Sequence, residues 1–576
     1  MSTHESFIRD VSAFFEPGGD IERILPGYVE RPGQRDMAAG VARAMTVKED
    51  LIVEAGTGTG KTYAYLVPAL LQDGRTIIST GTRTLQDQLF LKDLPLVRRA
   101  TSNTKRVSLL KGRRNYLCPY RLARHLATRA PGTDNEIARE LLEVRRWWST
   151  TTTGDLTELY DEEAGRSVRP LITSTSQNCL GKQCPQVENC PLYLARRRAI
   201  ESDIVVVNHH LLFADLAMVD DNIASILPSA RTIILDEAHQ VADVARQFFG
   251  LRLASSQFVD LCRDIRSESV AIGADDPLLL SHVEALERAN ARFVKAVHDS
   301  EFSSAPSLLV LDTVRAATEA VDESLDSLNR SLDHARVRSH VMAHCYQRAA
   351  ALLDTFAMLT EPGSSDEGNA HWVERSGSGV SLHLAPVSIA AAFGARVQAS
   401  PASWIFTSAT LSVAGDLAYT KTLLGLLHAR VEQYESPFCF ARQVRGYVPR
   451  TGERPGTDEH TIALLDACIP ILRAVPGRTF FLFTSYRALD IAATRLRHEH
   501  DVPVVVQGSL PKRELMEKFA QIEGCVLLAT QSFWEGVDAR GTGLKCLIID
   551  KLPFASPTDP LTRAKMAACD AAGGNG

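Results

Sequence analysis

The sequence predicts an α/β protein with parallel sheets and two long insertions. Helical segments separate many short apolar segments, and this alternation is typical of parallel α/β sheets. The series is interrupted between the second and third segments and again between the fourth and fifth. At 576 residues the chain is also too long for one hydrophobic core, so we expect several domains. The predicted strands are 50–55, 75–80, 203–208, 231–236, 403–407, 479–484, 502–507, 524–529 and 544–550.

The stretch DLIVEAGTGTGKTYAYL, residues 50–66, predicts a phosphate-binding loop between a strand and a helix. Its glycines let the backbone point N–H groups at phosphate oxygens, and the helix N-terminus adds partial positive charge. Lys61 is expected to reach the β- and γ-phosphates, and the Thr62 hydroxyl to bind Mg²⁺. The pattern asks for glycine where this chain has Ala55, which is a small departure. The predicted nucleotide-binding residues of the loop are Gly56, Thr57, Gly58, Thr59, Gly60, Lys61 and Thr62.

A second apolar strand ends in the sequence DEAH, within RTIILDEAHQ at residues 231–240. Ligands of parallel sheets lie at the carboxyl ends of the strands. Asp236 is expected to hold Mg²⁺, and Glu237 to orient and deprotonate the attacking water. The structural alternative is an acidic strand end that caps the next helix. A phosphate loop in the same chain favours a catalytic role for these carboxylates over a structural one. Lys61, Asp236 and Glu237 are therefore the predicted catalytic residues.

Four cysteines in the first insertion are candidate metal ligands. Zinc sites usually contain two close pairs of ligands. One distant cysteine followed by a group of three fits a [4Fe–4S] cluster better, which also takes four thiolates. Spacing alone leaves zinc open. A cluster would stabilise an insertion of under a hundred residues that cannot bury much core. The four residues are Cys118, Cys179, Cys184 and Cys190.

The second insertion runs from about Gln240 to Ala385. Apolar residues recur three and four positions apart in stretches such as VDESLDSLNRSLDHARVRSHVMAHCYQRAAALLDTF, a spacing that predicts helices. From the residues alone, a partner-binding helical domain is a fair interpretation of this segment.

Charge is unevenly distributed. The net charge of −6 does not by itself suggest a nucleic-acid-binding protein. However, no Asp or Glu occurs from Leu94 to Thr133, where basic residues are frequent, and Arg196 to Arg198 form a second basic group. Such islands indicate a phosphate-binding surface; a solvated helix face is the alternative. No run of 18 apolar residues and no secretory signal is found, so we expect a cytoplasmic protein without a membrane span.

These motifs, in this order, resemble those of the superfamily 2 helicases and translocases. In ERPGQRDM (30–37), Gln34 would contact adenine, with Arg31 beside it. STGTRTLQDQL (79–89) resembles a motif that contacts the nucleic-acid strand. TSATL (407–411) resembles the motif that couples hydrolysis to domain movement, through Ser408 and Thr410. LFTSY (482–486) and QSFWEGVD (531–538) resemble motifs of the second motor domain; the matching residues of the latter are Gln531, Glu535, Gly536 and Asp538.

KGRRNYLC (111–118), TSTSQNC (173–179) and SDIVVVNHH (202–210) extend the resemblance to the DinG/YoaA group of bacterial XPD-like helicases. The resemblance covers essentially the whole chain. It implies a P-loop NTPase with two RecA-like motor domains and a nucleotide cleft between them, an iron–sulfur insertion and a helical arch insertion. The implied cofactors are ATP, Mg²⁺ and a [4Fe–4S] cluster.

The implied partners are single-stranded DNA and forked or tailed duplex DNA. A replication or repair protein is a further candidate partner. The resemblance further implies 5′→3′ unwinding in repair or replication. The candidate DNA-contacting residues are Arg83, Arg113, Arg114 and Arg196.

The resemblance divides the chain into six segments. The first motor domain would comprise residues 1–110, 201–240 and 386–432, and the second would comprise 433–576. The iron–sulfur insertion would occupy 111–200, and the arch insertion 241–385. Gly536 and Asp538 would add to the nucleotide site from the second motor domain.

Helicases of this group carry a further motif, Q-x-x-G-R-x-x-R, which this sequence does not contain after residue 538. We therefore expect the 576-residue polypeptide alone to be a weak ATPase and a poor unwinder, because arginine fingers in other NTPases contribute about 10³–10⁵ in turnover. Two alternatives stay open. One is a DNA- or partner-binding protein with an idle motor, and the other is a redox-sensing iron–sulfur protein. Unwinding of a 5′-tailed duplex would separate the helicase from both, and a change in DNA affinity on cluster reduction would support the last.

Overall fold

The computed structural model describes residues 3–25, 27–127, 135–160, 167–220, 226–273, 276–302, 304–361, 368–377, 379–475, 477–498, 502–510, 512–530, 533–534, 543–555, 559–571 and 573. The chain divides into two compact units, one of Met1–Pro437 with Pro557–Gly576 and the other of Phe438–Ser556. The predicted motif residues Gln531, Glu535, Gly536 and Asp538 lie outside the described residues.

Within the described ranges, the strands form three sheets. Every strand predicted from the sequence is present within one or two residues of its expected bounds, together with others that were not predicted. The strands are β1 Leu51–Ala55, β2 Thr76–Thr80, β3 Val107–Leu109, β4 Ile204–Asn208, β5 Thr232–Asp236, β6 Leu251–Ala254, β7 Asn369–Ser376, β8 Gly379–Pro386, β9 Ser403–Ser408, β10 Arg430–Tyr434, β11 Arg478–Leu482, β12 Val504–Val506, β13 Val526–Ala529 and β14 Leu544–Ile549.

The helices begin and end as follows. They are α1 Thr3–Ala13, α2 Asp20–Ile24, α3 Pro32–Val47, α4 Lys61–Leu71, α5 Arg83–Gln88, α6 Leu94–Ala100, α7 Pro119–Ala127, α8 Asn135–Trp148, α9 Arg169–Ile172, α10 Pro191–Ile200, α11 His209–Asp220, α12 Val241–Phe248, α13 Ser255–Ala271, α14 Pro277–His298, α15 Ala305–Leu309, α16 Asp312–Ala335, α17 His340–Thr360, α18 Ala390–Ala399, α19 Ala418–Leu424, α20 Phe440–Gln443, α21 Asp458–Ala474, α22 Tyr486–His498, α23 Lys512–Gln521 and α24 Pro560–Ala571. Among the described residues, none of these helices combines the length and the apolar character that crossing a lipid bilayer requires.

A seven-stranded parallel sheet organises the larger unit, in the spatial order β10-β1-β9-β5-β2-β4-β3. Both of its faces are covered, which is why its central strands are continuous apolar runs. Alternate residues of a strand point to opposite faces. Leu51 and Val53 therefore pack on the side of α1, α3 and α4, whereas Ile52 joins the core on the side of α11, α12 and α18.

The first insertion has a small core of its own. Seven buried residues from its helices and loops pack together, a number that is modest for a segment of this length. They are Leu117, Leu122, Leu141, Val144, Leu156, Val168 and Ile172.

The second insertion is mainly helical, and α16 and α17 occupy the stretch whose apolar spacing predicted helices. A three-stranded antiparallel sheet, β6-β8-β7, completes it and was not predicted. Outward-facing polar residues interrupt these strands, as the exposed Glu374 does in β7. They therefore lack the continuous apolar run by which the buried strands were found.

The smaller unit contains a four-stranded parallel sheet, in the order β12-β13-β11-β14. Phe481 and Phe483 lie in the core on one face, and Phe480 and Phe519 in the core on the other. The unit begins at Phe438, whereas the sequence assigned 433–576 to the second motor domain.

Candidate active site

Three predicted motifs lie at the carboxyl ends of three adjacent strands. The phosphate loop follows β1, the DEAH sequence begins at the last residue of β5, and TSATL begins near the end of β9, which lies between them. In the registers of these pairs, Ser408 is opposite Glu54 and Thr407 is opposite Asp236. The parallel sheet thus brings together segments more than 170 residues apart in sequence.

The phosphate loop depends on its glycines for close approach and for left-handed backbone. A Cβ atom on Gly56 would lie 2.6 Å from the backbone nitrogen of Ser436. Gly60 caps α4 with φ at 89°, a conformation that glycine adopts most readily. The Thr59 hydroxyl donates to the carbonyl of Gly56 at 2.6 Å, and the carbonyl of Thr57 accepts from the Ser436 hydroxyl at 2.7 Å. These contacts hold the loop in a curled conformation.

Lys61 begins α4, and its Nζ donates to the carbonyl of Ala55 at 3.2 Å, across the mouth of the loop. Gln34, the predicted adenine contact, is nearly fully buried; its Nε2 donates to the carbonyl of Gly60 at 3.0 Å, and its Oε1 accepts from Tyr28 at 2.9 Å. Arg31 immediately precedes α3, and its guanidinium approaches Gly60. Gln34, the predicted adenine contact, and the neighbouring Arg31 therefore lie directly beside the phosphate loop.

Asp236 is fixed at the end of β5 by two hydrogen bonds. Its Oδ1 accepts from the backbone N–H of Glu237 at 3.0 Å, and its Oδ2 accepts from the Tyr65 hydroxyl at 2.8 Å. Burial and the neighbouring Glu237 carboxylate raise the pKa of Asp236 to about 6, although Tyr65 and Lys61 act in the opposite direction. A divalent cation would favour the ionised carboxylate, and its ligand chemistry suits this position.

Glu237 has left-handed backbone, with φ at 55°, which is uncommon for a residue other than glycine. Such conformations often mark functional sites. The Ser408 hydroxyl donates to the Oε2 of Glu237 at 3.4 Å, and its oxygen accepts weakly from the backbone N–H of Thr410. The Nδ1 of His239 lies 2.9 Å from the same hydroxyl. Of the two predicted coupling residues, Ser408 therefore contacts the DEAH sequence directly, and Thr410 contacts Ser408.

Sequence reasoning missed two residues of this site. Tyr65 follows Lys61 by one helical turn and contacts Asp236. Glu54, the penultimate residue of β1, accepts hydrogen bonds from the backbone N–H groups of Leu411 and Ser412 and, at 2.7 Å, from the Ser412 hydroxyl. An acidic residue within an otherwise apolar strand was the available signal for Glu54. Nothing in the sequence pattern distinguishes Tyr65 from a core aromatic.

The four predicted cysteine ligands are all half-buried and close enough to interact. Cys118 interacts electrostatically with Cys179 and Cys184, and Cys184 with Cys179 and Cys190. Burial raises the pKa of Cys118 to about 11 and that of Cys184 above its ordinary value. Four neighbouring thiols fit the donor set of a four-thiolate cluster. Within the described residues, however, no three His, Cys, Asp or Glu side chains are already arranged to hold a metal ion.

Several cations of the basic stretch from Leu94 to Thr133 form ion pairs within the protein. Lys111 is buried and forms ion pairs with Asp87 at 2.9 Å and Asp155 at 2.7 Å. Arg121 and Arg124 form ion pairs with Asp264 and with Glu268, both in α13. These three cations are therefore engaged in ion pairs within the protein, so the charge count of the stretch overstates the positive charge it offers to a partner.

Three of the candidate DNA-contacting residues lie in two elements of the first insertion, and the fourth lies in α5 of the larger unit. Arg113 and Arg196 lie near each other, and burial together with Arg113 lowers the pKa of Arg196. Arg114 is exposed beside Arg113. Arg83 is half-buried at the start of α5, near His210.

A phosphate loop, a DEAH sequence and a TSATL sequence on adjacent strands of a parallel sheet define a nucleotide-dependent motor of the DEAD/DEAH-box class. Family models match in three places: the DEAD/DEAH box helicase model at residues 34–115, the DEAD_2 model at 170–258 and the helicase C-terminal domain model at 468–576.

Relatives in bacteria are similar over nearly the whole chain. The ATP-dependent DNA helicase YoaA of Haemophilus influenzae is 38% identical, over 98% of this chain and 88% of the relative. YoaA of Escherichia coli is 37% identical, over 97% and 88%, and the ATP-dependent helicase DinG of Mycobacterium tuberculosis is 33% identical, over 96% and 85%. The chain therefore belongs to the YoaA/DinG family of ATP-dependent helicases.

The fold is also similar to that of a solved XPD helicase. That structure aligns with a TM-score of 0.52 and 14% sequence identity, covering 93% of this chain and 87% of the other. At this identity the similarity concerns the fold alone.

Proposed function

We propose that this protein is an ATP-dependent DNA helicase that moves 5′→3′ along single-stranded DNA and acts on forked or tailed duplexes in repair or replication. The observation that carries the proposal is the meeting of Lys61, Asp236 and Ser408 at the ends of three adjacent strands. Relatives named DNA helicases support DNA as the track.

Nucleotide hydrolysis would use residues of the phosphate loop and its helix together with residues of the DEAH sequence. Lys61 would bind the β- and γ-phosphates, while Thr62 and Asp236 would hold Mg²⁺. Glu237 would orient and deprotonate the attacking water. The backbone N–H groups between Gly56 and Gly60 would cradle the phosphates, since the loop is already curled around their position.

Coupling to movement would pass through Ser408 and Thr410. Ser408 contacts the proposed catalytic base directly, so a change at the γ-phosphate would alter the contacts of the TSATL segment. Gly536 and Asp538 lie outside the described residues, and their role in nucleotide binding stays a prediction.

DNA phosphates would be bound by arginines on the first motor domain and the cysteine-containing insertion. Arg113 and Arg196 carry like charges close together, an arrangement that a phosphate group would stabilise. Arg114 and Arg83 would extend this surface.

The four clustered cysteines would hold a [4Fe–4S] cluster. When bound, the cluster would cross-link Cys118 to the segment of the other three and so stabilise an insertion with a small core. Cys184→Ser should lose iron and the brown colour. Cys262→Ser, which alters a buried thiol of α13, is the matched control. Full iron content in Cys184→Ser would contradict this assignment.

The proposed activity is tested by unwinding of a 5′-tailed duplex with ATP, compared with a 3′-tailed duplex and with Lys61→Ala. We expect slow unwinding of the 5′-tailed substrate, none of the 3′-tailed substrate, and none of either with Lys61→Ala. DNA binding without ATP-dependent unwinding would favour the idle-motor alternative. The weak hydrolysis expected for this polypeptide stays a prediction, which the same preparations can measure.

A further inference from the structure

Tyr65 is a fully buried tyrosine in the helix that follows the phosphate loop. It lies four residues after Lys61, so it projects from the same side of α4 one turn further on. Its hydroxyl donates to the Oδ2 of Asp236 at 2.8 Å. The hydroxyl of Thr62 also interacts with it. One phenol group therefore contacts a residue of the loop helix and a residue of the strand, and both are proposed to hold Mg²⁺.

The contact fixes the orientation of the Asp236 carboxylate. Its other oxygen, Oδ1, already accepts from the backbone N–H of Glu237 at 3.0 Å. With one hydrogen bond to each oxygen, the carboxylate cannot rotate without losing a bond. Each oxygen keeps a second lone pair for a metal ion or its water.

We propose that Tyr65 is a positioning residue of the magnesium site, holding Asp236 and Thr62 in the relative orientation that the ion requires. The inference rests on the proposed function, since the ion is that of Mg-ATP. Mg²⁺ demands near-ideal octahedral geometry, so a small rotation of either ligand weakens binding. Loss of groups that orient metal ligands typically reduces metal affinity about 10- to 100-fold.

The test is Tyr65→Phe, which removes the hydroxyl and keeps the buried ring. Tyr63→Phe is the matched control: it removes a hydroxyl from the same helix, but that hydroxyl contacts Asp93 and not Asp236. Two quantities are measured against free Mg²⁺ concentration, namely binding of a fluorescent non-hydrolysable ATP analogue and steady-state ATP hydrolysis. Thermal unfolding without nucleotide reports on folding.

For Tyr65→Phe we expect about a tenfold rise in the Mg²⁺ concentration for half-saturation, with hydrolysis largely recovered at high Mg²⁺. Tyr63→Phe should match the parent protein. An unchanged Mg²⁺ dependence in Tyr65→Phe would overturn the inference. So would a uniform loss of turnover, or a lowered unfolding temperature, without a shift in Mg²⁺ dependence, because a purely structural role predicts that result.

The same experiment separates this inference from the proposed function. If the parent protein binds the analogue but does not hydrolyse ATP, the proposed motor activity fails, whereas the Mg²⁺ dependence of analogue binding still decides the role of Tyr65. If the parent protein hydrolyses ATP and Tyr65→Phe shows the parent's Mg²⁺ dependence, only the role of Tyr65 is refuted.

Discussion

The Nδ1 atom of His239 lies 2.9 Å from the Oγ atom of Ser408, so the DEAH and TSATL segments are in direct contact. The contact joins the end of β5 to the end of its neighbour β9. Ser408 also contacts Glu237, which places one hydroxyl between the proposed base and the histidine that follows it by two residues. A change in charge or position at Glu237 will therefore alter the contacts of Ser408 with Glu237 and with His239.

We predict that Ser408→Ala will uncouple unwinding from hydrolysis. Each lost hydrogen bond to a neutral partner is worth about 1 kcal/mol, and one to a charged partner somewhat more. We expect the number of base pairs opened per ATP hydrolysed to fall roughly tenfold, with a smaller fall in hydrolysis. Parallel measurements of ATP turnover and strand separation give this ratio.

Ser403→Ala is the control for this prediction. Ser403 begins the same strand, is buried, and its hydroxyl donates to the backbone carbonyl of Ala44 at 3.3 Å, away from the DEAH sequence. It should keep the ratio of the parent protein. Equal loss of hydrolysis and unwinding in Ser408→Ala would argue against a coupling role.

Glu54 anchors the TSATL segment, and we predict that Glu54→Gln will destabilise the larger unit. Burial opposes ionisation, but hydrogen bonds from Ser412 and Leu411 outweigh it, so the pKa of Glu54 is lowered. An amide cannot accept from all these donors, and an unpaired buried donor costs about 1–3 kcal/mol. The urea midpoint should fall accordingly. Glu49→Gln, which weakens a partly exposed pair with Arg430, should change the free energy of unfolding by less than about 1 kcal/mol.

In the seven-stranded sheet, the sequence predicted the central strands but not the two edge strands, β10 and β3, for a physical reason. Central strands such as β4, with every residue buried, are continuous apolar runs. The edge strand β10 has the sequence RVEQY, and no residue of it is fully buried. The other edge, β3, has three residues. Strands that face solvent on one side do not carry the apolar run on which the prediction depended.

The site was predictable where a local pattern encodes it. The loop around Lys61 and the pair Asp236–Glu237 follow from short motifs. The contact between Tyr65 and Asp236 spans 171 residues, and no periodicity indicates it. The count of charges from Leu94 to Thr133 also overestimated the positive charge of that stretch. Lys111 is neutralised by Asp87 and Asp155, which lie outside the range that was counted. Sequence patterns report which residues are present, and only the fold determines which residues they face.

The two insertions are joined by a largely buried carboxylate, and we predict that Asp264→Asn will weaken their contact. Asp264 accepts from Arg121 of the cysteine-containing insertion at 3.1 Å and from Arg348 of α17 at 2.6 Å. Both arginine side chains are more than 90% buried. Removing one member of a buried ion pair typically costs about 3–5 kcal/mol, because the remaining charge is left unpaired. Amide hydrogen exchange in α7 and α17 should accelerate.

Asp260→Asn provides the comparison for this prediction. Asp260 lies one turn earlier in α13 and pairs with Arg263, and both side chains are about one-third exposed. Exposed pairs contribute about 0–1 kcal/mol, so exchange in α7 and α17 should hardly change. Similar exchange rates in the two variants would mean that Asp264 does not hold the insertions together.

His125 makes this junction sensitive to acid. It lies in α7, facing Arg121 and Arg124 of its own helix and Arg263 and Asp264 of α13. Burial and then the arginines lower the pKa of His125 to about 4, against which Asp264 acts only partly. The unfolded chain therefore binds more protons than the folded one between pH 4 and the ordinary histidine value of about 6.5. The contribution of His125 to stability is complete above that value and is lost as the pH falls.

We predict that His125→Gln will reduce the loss of stability on acidification. The loss attributable to His125 is at most about 1.4 kcal/mol per pH unit below 6.5, the slope for one proton, and solvent screening of the partly exposed imidazole lowers it. Denaturation midpoints of the variant and the parent protein are compared at pH 7 and pH 5. Other buried histidines contribute equally to both proteins, so the difference between the two pH dependences isolates His125. Parallel pH dependences would mean that His125 takes up its proton as readily in the folded chain as in the unfolded one.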